Sequence, residues 1–154
     1  MNEALNIHAT AIVVGKTGLL FSGPSGWGKS MLAFTCMTEA RRLGLFTALV
    51  ADDQVLLSEE TGTVVATCPP SIAGLIELRG TGIVRQEHVP QAAMHYAVLP
   101  GSASGENRVP PEGEIVSLAP GLSLPALRLL TGVPSPLAML MAKAPDIGHS
   151  SLPD

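Results

Sequence analysis

Residues 23–31 read GPSGWGKSM and come directly after the apolar run TGLLF at residues 17–21. Three glycines and a lysine here surround a tryptophan, in a spacing that satisfies G-x-x-x-x-G-K-[ST], the Walker A pattern. Glycines let the backbone curl so that successive N–H groups point inward at phosphate oxygens. The stretch therefore predicts a phosphate-binding loop (P-loop) between a strand and a helix.

The side chains of this loop are of the types that bind a nucleoside triphosphate. A helix that begins near Gly28 adds its N-terminal amide groups and the positive end of its dipole. Lys29 has the length to reach the outer phosphates, and the Ser30 hydroxyl is a ligand for Mg²⁺. Trp27 is expected to pack on the surface of the loop without a catalytic role. We predict that the whole stretch binds the nucleotide: Gly23, Pro24, Ser25, Gly26, Trp27, Gly28, Lys29, Ser30 and Met31.

Apolar runs around the loop indicate an α/β arrangement. TAIVV at residues 10–14 and LLF at residues 19–21 are typical of two strands in a hairpin that leads into the loop. Residues 30–43 have a broad apolar side and predict a helix that Gly44 ends. FTALVADD at residues 46–53 predicts an apolar strand that ends in two acids.

The second half of the chain is predicted to be mostly β-structure with one long loop. Residues 54–69 read as a hairpin with EETG as its turn, and LIEL at residues 75–78 reads as a strand that precedes an RGTGI loop. Proline, glycine and serine dominate residues 100–114, which we expect to form a mobile surface loop. A late strand and a short closing helix are predicted after it.

Asp52 and Asp53 stand at the carboxyl end of the predicted strand in residues 46–53. Ligands of open α/β sheets bind at this end of the strands. Because one helix separates this strand from the phosphate loop, we expect the two strands to be neighbours and the acids to lie near the terminal phosphate. One acid would hold Mg²⁺ and the other would accept a proton from an attacking hydroxyl. The alternative is that one of them is only a turn or N-cap aspartate.

Composition excludes several classes of protein. The chain has 154 residues, the size of one domain, and 46% of them are hydrophobic whereas 14% are charged, which argues against disorder. The formal net charge is −4 and there is no basic tract, so nucleic acid is not an expected partner.

Two cysteines and the chain termini indicate the compartment. Cys36 and Cys68 have no metal-ligand spacing and are expected to be reduced, buried thiols. No basic segment precedes an apolar stretch at the N-terminus, and no apolar run is long enough to cross a bilayer. We therefore expect a cytoplasmic protein without a membrane partner. A single domain is predicted over residues 1–145, with a disordered tail over residues 146–154.

Four segments resemble the C-terminal catalytic domain of the HPr kinase/phosphorylase family, in the order that this family has. They are IHAT at 7–10 with His8, GPSGWGKS at 23–30, VADD at 50–53 and LIELRGTGI at 75–83. The last is the most diagnostic, because general P-loop proteins do not carry it. The resemblance covers residues 7–84 and is thin beyond them. It implies a P-loop domain of the HPr kinase/phosphoenolpyruvate carboxykinase-like type, an α/β fold with a mixed sheet and few helices.

The resemblance also implies an activity and its residues. Members of the family use ATP and Mg²⁺ to phosphorylate a serine of the phosphocarrier HPr in the phosphotransferase system, and many also reverse this by phosphorolysis. They assemble as hexamers, so a homo-oligomer is expected here. The resemblance implies catalytic roles for His8, Lys29, Asp52, Asp53 and Arg79, and metal contacts for Ser30, Asp53 and Glu77.

The sequence departs from the family at several points. It begins at the catalytic domain, as short forms from α-proteobacteria do. Met31 stands where the family usually has an acid, and no residue clearly matches a later active-site arginine, for which Arg108 and Arg128 are candidates. Two alternatives therefore stay open beside a protein-serine kinase: a small-molecule P-loop kinase, and a nucleotide-sensing module without turnover.

Overall fold

A computed structural model describes residues 4–149. These residues form twelve β-strands, two α-helices and two short 3₁₀ turns. The first half contains β1 (Leu5–Ile7), β2 (Ala9–Val14), β3 (Thr17–Ser22), α1 (Lys29–Arg42), β4 (Thr47–Ala51), β5 (Val55–Glu60), β6 (Thr63–Thr67) and a turn at Pro70–Ile72. The second half contains β7 (Leu75–Leu78), β8 (Gly82–Arg85), β9 (Gln91–Met94), β10 (Tyr96–Pro100), a turn at Glu106–Arg108, β11 (Ile115–Ala119), β12 (Leu122–Leu129) and α2 (Pro136–Lys143).

A six-stranded sheet in the order β11-β12-β10-β3-β2-β4 forms the centre of the fold. β10 runs parallel to β3 and β12, whereas β2 is antiparallel to both of its neighbours, so the sheet is mixed. All residues of β2 are buried, which is why TAIVV reads as a continuous apolar run and does not alternate with polar residues. The expectation of a mixed sheet with few helices is confirmed.

Two separate hydrophobic cores lie on the two faces of this sheet. Ile12, Leu19 and Phe21 point into one core together with α1 and α2. Leu20 and Val13 point the other way, into a core shared with the antiparallel sheet β1-β5-β6-β9. The side chains alternate between the two cores because successive residues of a strand point to opposite faces of the sheet.

The two cysteines are divided between these cores. Both thiols are buried and neither is in a disulfide: Cys36 lies on α1 in the helix-side core, and Cys68 lies in the core between the two sheets. Burial raises the pKa of both thiols, with a smaller contribution at Cys36 from the negative charge of Glu39. The expected buried, reduced thiols are thus what the fold contains.

The strand before the phosphate loop and the strand that ends in the two acids are not neighbours, contrary to expectation. β2 lies between β3 and β4 and is antiparallel to both. The tight turn at residues 15–16 pairs β2 with one side of β3, and β10 pairs with the other side, so β4 has no place beside β3. α1 therefore carries the chain across β2, and β3 and β4 still run in the same direction and end at the same edge of the sheet.

Residues 146–148, which belong to the predicted tail, contact the rest of the domain in this structure. Ile147 is fully buried in the helix-side core, and the Gly148 amide donates a hydrogen bond to Thr17 Oγ1 at 3.1 Å. Gly15 allows this approach, because a Cβ there would lie 2.5 Å from the Gly148 carbonyl oxygen. Residues 150–154 of the predicted tail lie outside the described residues.

Several local predictions are confirmed. The EETG turn joins β5 to β6, and the stretch from 101 to 114 is a loop that contains only a 3₁₀ turn. The late strand and closing helix correspond to β12 and α2. Over residues 4–149, no helix combines the length and the apolar character that crossing a membrane requires.

Gly18→Ala should destabilise the protein, because the two sheets meet closely at this position. A Cβ at Gly18 would lie 1.9 Å from the carbonyl oxygen of Ala93, which precedes Met94 in β9. We expect the free energy of unfolding, measured in urea, to fall by about 2–3 kcal/mol from overpacking. Gly101→Ala is the matched control: its Cβ would meet nothing closer than 3.5 Å, and we expect a change within about 1 kcal/mol of zero. Equal losses in the two variants would contradict this account.

Candidate functional site

The phosphate loop leads from the end of β3 into α1 and opens onto a cavity of about 300 Å³. Gly26 and Gly28 have φ angles of 87° and 97°, a left-handed conformation that favours glycine. Gly28 is the N-cap of α1 and provides no side-chain cap, so the start of the helix is open toward the cavity. The cavity is lined by His8, Thr10, Ser25, Gly26, Trp27, Gly28, Lys29, Ser30, Asp52, Asp53, Glu77, Arg79 and Thr131.

Lys29 lies across the inside of the loop. Its Nζ donates hydrogen bonds to the carbonyl oxygens of Gly23 at 3.1 Å and Pro24 at 3.3 Å. Burial lowers the pKa of the Lys29 ammonium, while the nearby carboxylates of Asp53 and Asp52 act in the opposite direction. The loop therefore holds a poorly hydrated cation at its centre, beside the two acids.

Asp52 connects four elements of the fold. Its Oδ1 accepts hydrogen bonds from Ser30 Oγ at 2.5 Å and from Thr10 Oγ1 at 2.9 Å, and its Oδ2 accepts one from the Glu77 amide at 3.0 Å. The side chain is buried, and three donors compensate the loss of water around its charge. Because Ser30 gives its only proton to Asp52, its two lone pairs remain for a ligand in the cavity.

Asp53 differs from Asp52 in exposure and backbone conformation. Its side chain is 62% exposed, and its Oδ1 lies 3.3 Å from His8 Nδ1. Its φ of 77° is one of two positive values among the described non-glycine residues. A strained backbone of this kind costs free energy and is common at functional sites. The adjacent acids thus present one buried, immobilised carboxylate and one accessible carboxylate.

The hairpin β7–β8 brings Glu77 and Arg79 to the cavity. Glu77 is exposed on β7, between two buried residues, and Arg79 begins the turn that joins the strands. The turn depends on Gly80 and Gly82, whose φ angles are 88° and 130°. All the side chains predicted to be catalytic or to contact a metal therefore lie around one cavity.

The prediction that Trp27 packs on the surface of the loop is wrong. Its side chain is only 8% exposed and belongs to the helix-side core, 3.0 Å from where a Gly23 Cβ would be. Its carbonyl oxygen accepts a hydrogen bond of 2.7 Å from Thr131 Oγ1, which comes from the chain segment between β12 and α2. Trp27 therefore anchors the loop to the core.

Sequence analysis did not single out Thr10 or Thr131. Thr10 could have been found from the sequence, since it is a hydroxyl-bearing residue in an apolar strand, two residues after His8. No sequence pattern pointed to Thr131, because it contacts the loop from 104 positions away in the chain. Met31, which was predicted to bind the nucleotide, is 44% exposed on the first turn of α1, and its side chain does not line the cavity.

Neither candidate for the later arginine reaches the cavity. Arg128 donates to both carboxylate oxygens of Glu114 and to the Pro100 carbonyl oxygen, the last at 2.9 Å. Arg108 donates to the Gly105 carbonyl oxygen in the loop before β11. Among the described basic side chains, those that line the cavity are Lys29, Arg79 and His8.

The phosphate loop and the acids lie within a segment that matches a known family. A sequence profile described as HPr Serine kinase C-terminal domain matches residues 1–90, more than half of the chain. The chain belongs to this family. Apart from Thr131, every residue that lines the cavity is inside the segment that matches the HPr serine kinase C-terminal domain family.

Curated relatives match over the same half of the chain. An HPr kinase/phosphorylase of Clostridium botulinum (strain Eklund 17B / Type B) is 33% identical over 78 residues, and one of Lacticaseibacillus casei (strain BL23) is 32% identical over 83 residues. These matches cover 51% and 53% of this chain but 24% of each relative. The chain therefore spans about a quarter of the length of these members of the HPr kinase family.

A solved structure matches nearly the whole chain. It is described as the Hpr(Ser) kinase/phosphatase from Coxiella burnetii, and it covers 92% of this chain and 95% of its own with a TM-score of 0.71. The sequences are 20% identical in this comparison. The similarity therefore shows that the shared fold extends well beyond the 90 residues that match the family profile.

Asp53→Gly should be more stable than Asp53→Ala, because only the first substitution removes the left-handed strain. Both variants remove the carboxylate, so their difference isolates the backbone. We expect Asp53→Gly to exceed Asp53→Ala by about 1 kcal/mol in free energy of unfolding. At Glu60, an exposed β5 residue outside the left-handed region, the order should reverse by about 0.5–1 kcal/mol. Urea unfolding of the four variants measures both differences, and the same order at both positions would be inconsistent with strain at Asp53.

Proposed function

We propose that this protein is an ATP- and Mg²⁺-dependent protein-serine kinase that acts on an HPr-like phosphocarrier of a phosphotransferase system. The hydrogen bond between Ser30 and Asp52 carries the proposal, because it joins the start of α1 to the strand end that bears both acids. Membership of the HPr serine kinase C-terminal domain family supports the choice of substrate class. The activity would operate in the cytoplasm, in a single domain that includes residues 1–145.

The triphosphate would bind along the loop from Gly23 to Ser30. Backbone amides at the start of α1 are positioned for anionic oxygens, and the helix dipole favours negative charge there. The Lys29 ammonium already lies among carbonyl oxygens of the loop, and phosphate oxygens would be stronger acceptors for the same donor. These groups would hold the nucleotide with its terminal phosphate near the acids.

The residues around Ser30 fit a magnesium ion. No group of three or more His, Cys, Asp or Glu side chains in residues 4–149 has the arrangement of a metal cage. Mg²⁺ needs no such cage in a kinase site, where one or two side chains and the substrate phosphates hold it. Ser30, with its lone pairs directed away from Asp52, and the exposed Asp53 and Glu77 are the proposed contacts. The chemistry that a bound ion would supply there is neutralisation of charge on the phosphates during transfer.

Asp53 is the proposed general base. Its accessible carboxylate can reach a serine hydroxyl delivered from outside, whereas all the known partners of Asp52 are hydrogen-bond donors of the fold. His8, at 3.3 Å, would hold the Asp53 carboxylate in position. Arg79, on a turn with two glycines, would neutralise charge on the transferred phosphoryl group. We thus assign the positioning of Ser30 to Asp52, and proton transfer to Asp53.

A nucleotide-sensing module without turnover is the second candidate. The positions of Arg108 and Arg128 favour it, because neither reaches the cavity, where a later arginine would neutralise phosphate charge. Among the described residues, the basic side chains that line the cavity are Lys29, Arg79 and His8. The same deficit would weaken phosphorolysis more than phosphorylation, since inorganic phosphate must bind without a nucleotide to anchor it. Because members of the family assemble as hexamers, we also propose that this protein forms a homo-oligomer.

Incubation with γ-labelled ATP, Mg²⁺ and a purified HPr-like protein separates the candidates. Label on a serine of the carrier supports the proposed function. Label on small metabolites in an extract supports a small-molecule kinase. Calorimetric binding of Mg·ATP without transfer to either acceptor supports the sensing module. Addition of inorganic phosphate to the phosphorylated carrier measures phosphorolysis in the same preparation.

Lys29→Ala and Asp53→Asn should lose transfer for different reasons. Lys29→Ala removes the cation that contacts the phosphates, so we expect both Mg·ATP binding and transfer to disappear. Asp53→Asn keeps the shape of the site but removes the base, so transfer should fall by about 10²–10⁴-fold while ATP remains bound. Glu60→Gln, in the β5–β6 hairpin, is a charge-matched control that should retain both properties. Native transfer by Lys29→Ala would refute the assignment of the site.

A further inference from the structure

Thr10 places a buried hydroxyl against the Asp52 carboxylate. It shares its side of β2 with Ile12 and Val14, which point into the helix-side core, because strand residues two apart face the same way. Thr10 is fully buried and also lines the cavity. A hydroxyl in such a strand loses hydration and needs a partner. Its partner is Asp52 Oδ1 at 2.9 Å.

The sheet order explains why a residue is needed at this position. β2 separates β3 from β4, so the phosphate loop and Asp52 belong to strands that lie about 9–10 Å apart. Ser30 spans this gap from the first turn of α1 to Asp52. Thr10, on the intervening strand, lies beneath the contact and supports it. The site is therefore assembled over β2, and β2 contributes a hydroxyl to the same Asp52 oxygen that Ser30 contacts.

The Thr10 hydrogen bond fixes the direction of the Ser30 hydroxyl. Asp52 Oδ1 accepts from both Thr10 and Ser30, which uses the two lone-pair directions of that oxygen. The Glu77 amide holds the other oxygen, so the carboxylate plane is set by three donors. With Asp52 fixed, the proton of Ser30 points at it and the lone pairs of Ser30 face the cavity.

We infer that Thr10 is a positioning residue for phosphoryl transfer. Its hydroxyl would hold the Asp52 carboxylate so that Ser30 presents lone pairs to the magnesium ion. The inference rests on the proposed function, since it requires the loop to bind Mg·ATP. Thr10 acts through Asp52 and Ser30, and its loss affects the metal-dependent part of nucleotide binding.

Calorimetric titration of Thr10→Val with ATP tests this inference. Valine keeps the shape of threonine and removes the donor. We expect the affinity for ATP in the presence of Mg²⁺ to fall by about 10-fold, as for other outer-shell partners of metal ligands. The affinity for ATP in EDTA should equal that of the wild type, because the loop and Lys29 are unchanged. Thr10→Ser restores the hydroxyl and should recover the Mg²⁺-dependent gain.

Thr47→Val is the matched control. Thr47 is a buried threonine on the adjacent strand β4, and its Oγ1 donates to the Val13 carbonyl oxygen at 2.7 Å. The substitution removes an equally buried hydroxyl hydrogen bond that has no link to Asp52. It should therefore leave the affinity for ATP unchanged with and without Mg²⁺. If Thr10→Val does not fold, Thr10→Cys replaces it, because a thiol of similar size is a much weaker donor.

The outcomes distinguish this inference from the proposed function. A wild-type chain that binds no Mg·ATP overturns the proposed function and the inference together. A wild type that binds Mg·ATP, with Thr10→Val showing the same Mg²⁺ dependence, overturns only the inference. An equal loss with Mg²⁺ and with EDTA also overturns it, because that result indicates a general structural defect. A selective loss that Thr10→Ser restores supports it.

Discussion

The hydrogen bond between Ser30 and Asp52 is the contact on which the cavity depends. It connects the first turn of α1 to the end of β4, two elements that the sheet holds apart by the width of β2. Without it, the phosphate loop and the paired acids would be separate surface features. With it, the amides of a helix start, a buried lysine and two carboxylates share one volume. The buried charge of Asp52 is tolerated because three donors surround it.

The two acids show how position alone separates the roles of identical side chains. Asp52 is the first residue after β4, is buried, and is surrounded by hydroxyl and amide donors. Asp53 follows in a left-handed conformation that turns its carboxylate outward to His8. One residue thus remains part of the rigid framework, and the next faces solvent. The strain at Asp53 is a cost of folding that this division of roles requires.

Local patterns were sufficient to predict most elements and to bring the phosphate loop together with the two acids. His8, Glu77 and Arg79 were expected at the cavity only from the family resemblance. The Walker A spacing, the acids after an apolar strand and the LIEL strand each depend on neighbours within a few residues. The order of the strands was not predictable in this way, because it also depends on β10, a distant strand that pairs with the other side of β3 and leaves no place there for β4. The burial of Trp27 depends on a core whose members, such as Leu127 and Leu129, lie far away in sequence. Ile147 was missed for the same reason, since its partners are in the helix-side core.

The division of the cysteines between the two cores gives the chain a pair of internal reporters. Cys36 lies on the buried face of α1, the helix that begins at the phosphate loop, and Cys68 lies between the two sheets. A thiol becomes reactive only as the exposed thiolate, which burial suppresses at both positions. The alkylation rate of each cysteine would therefore measure how often the core around it opens to solvent. Such rates would distinguish loosening of the helices over the sheet from separation of the two sheets, without any substitution in the chain.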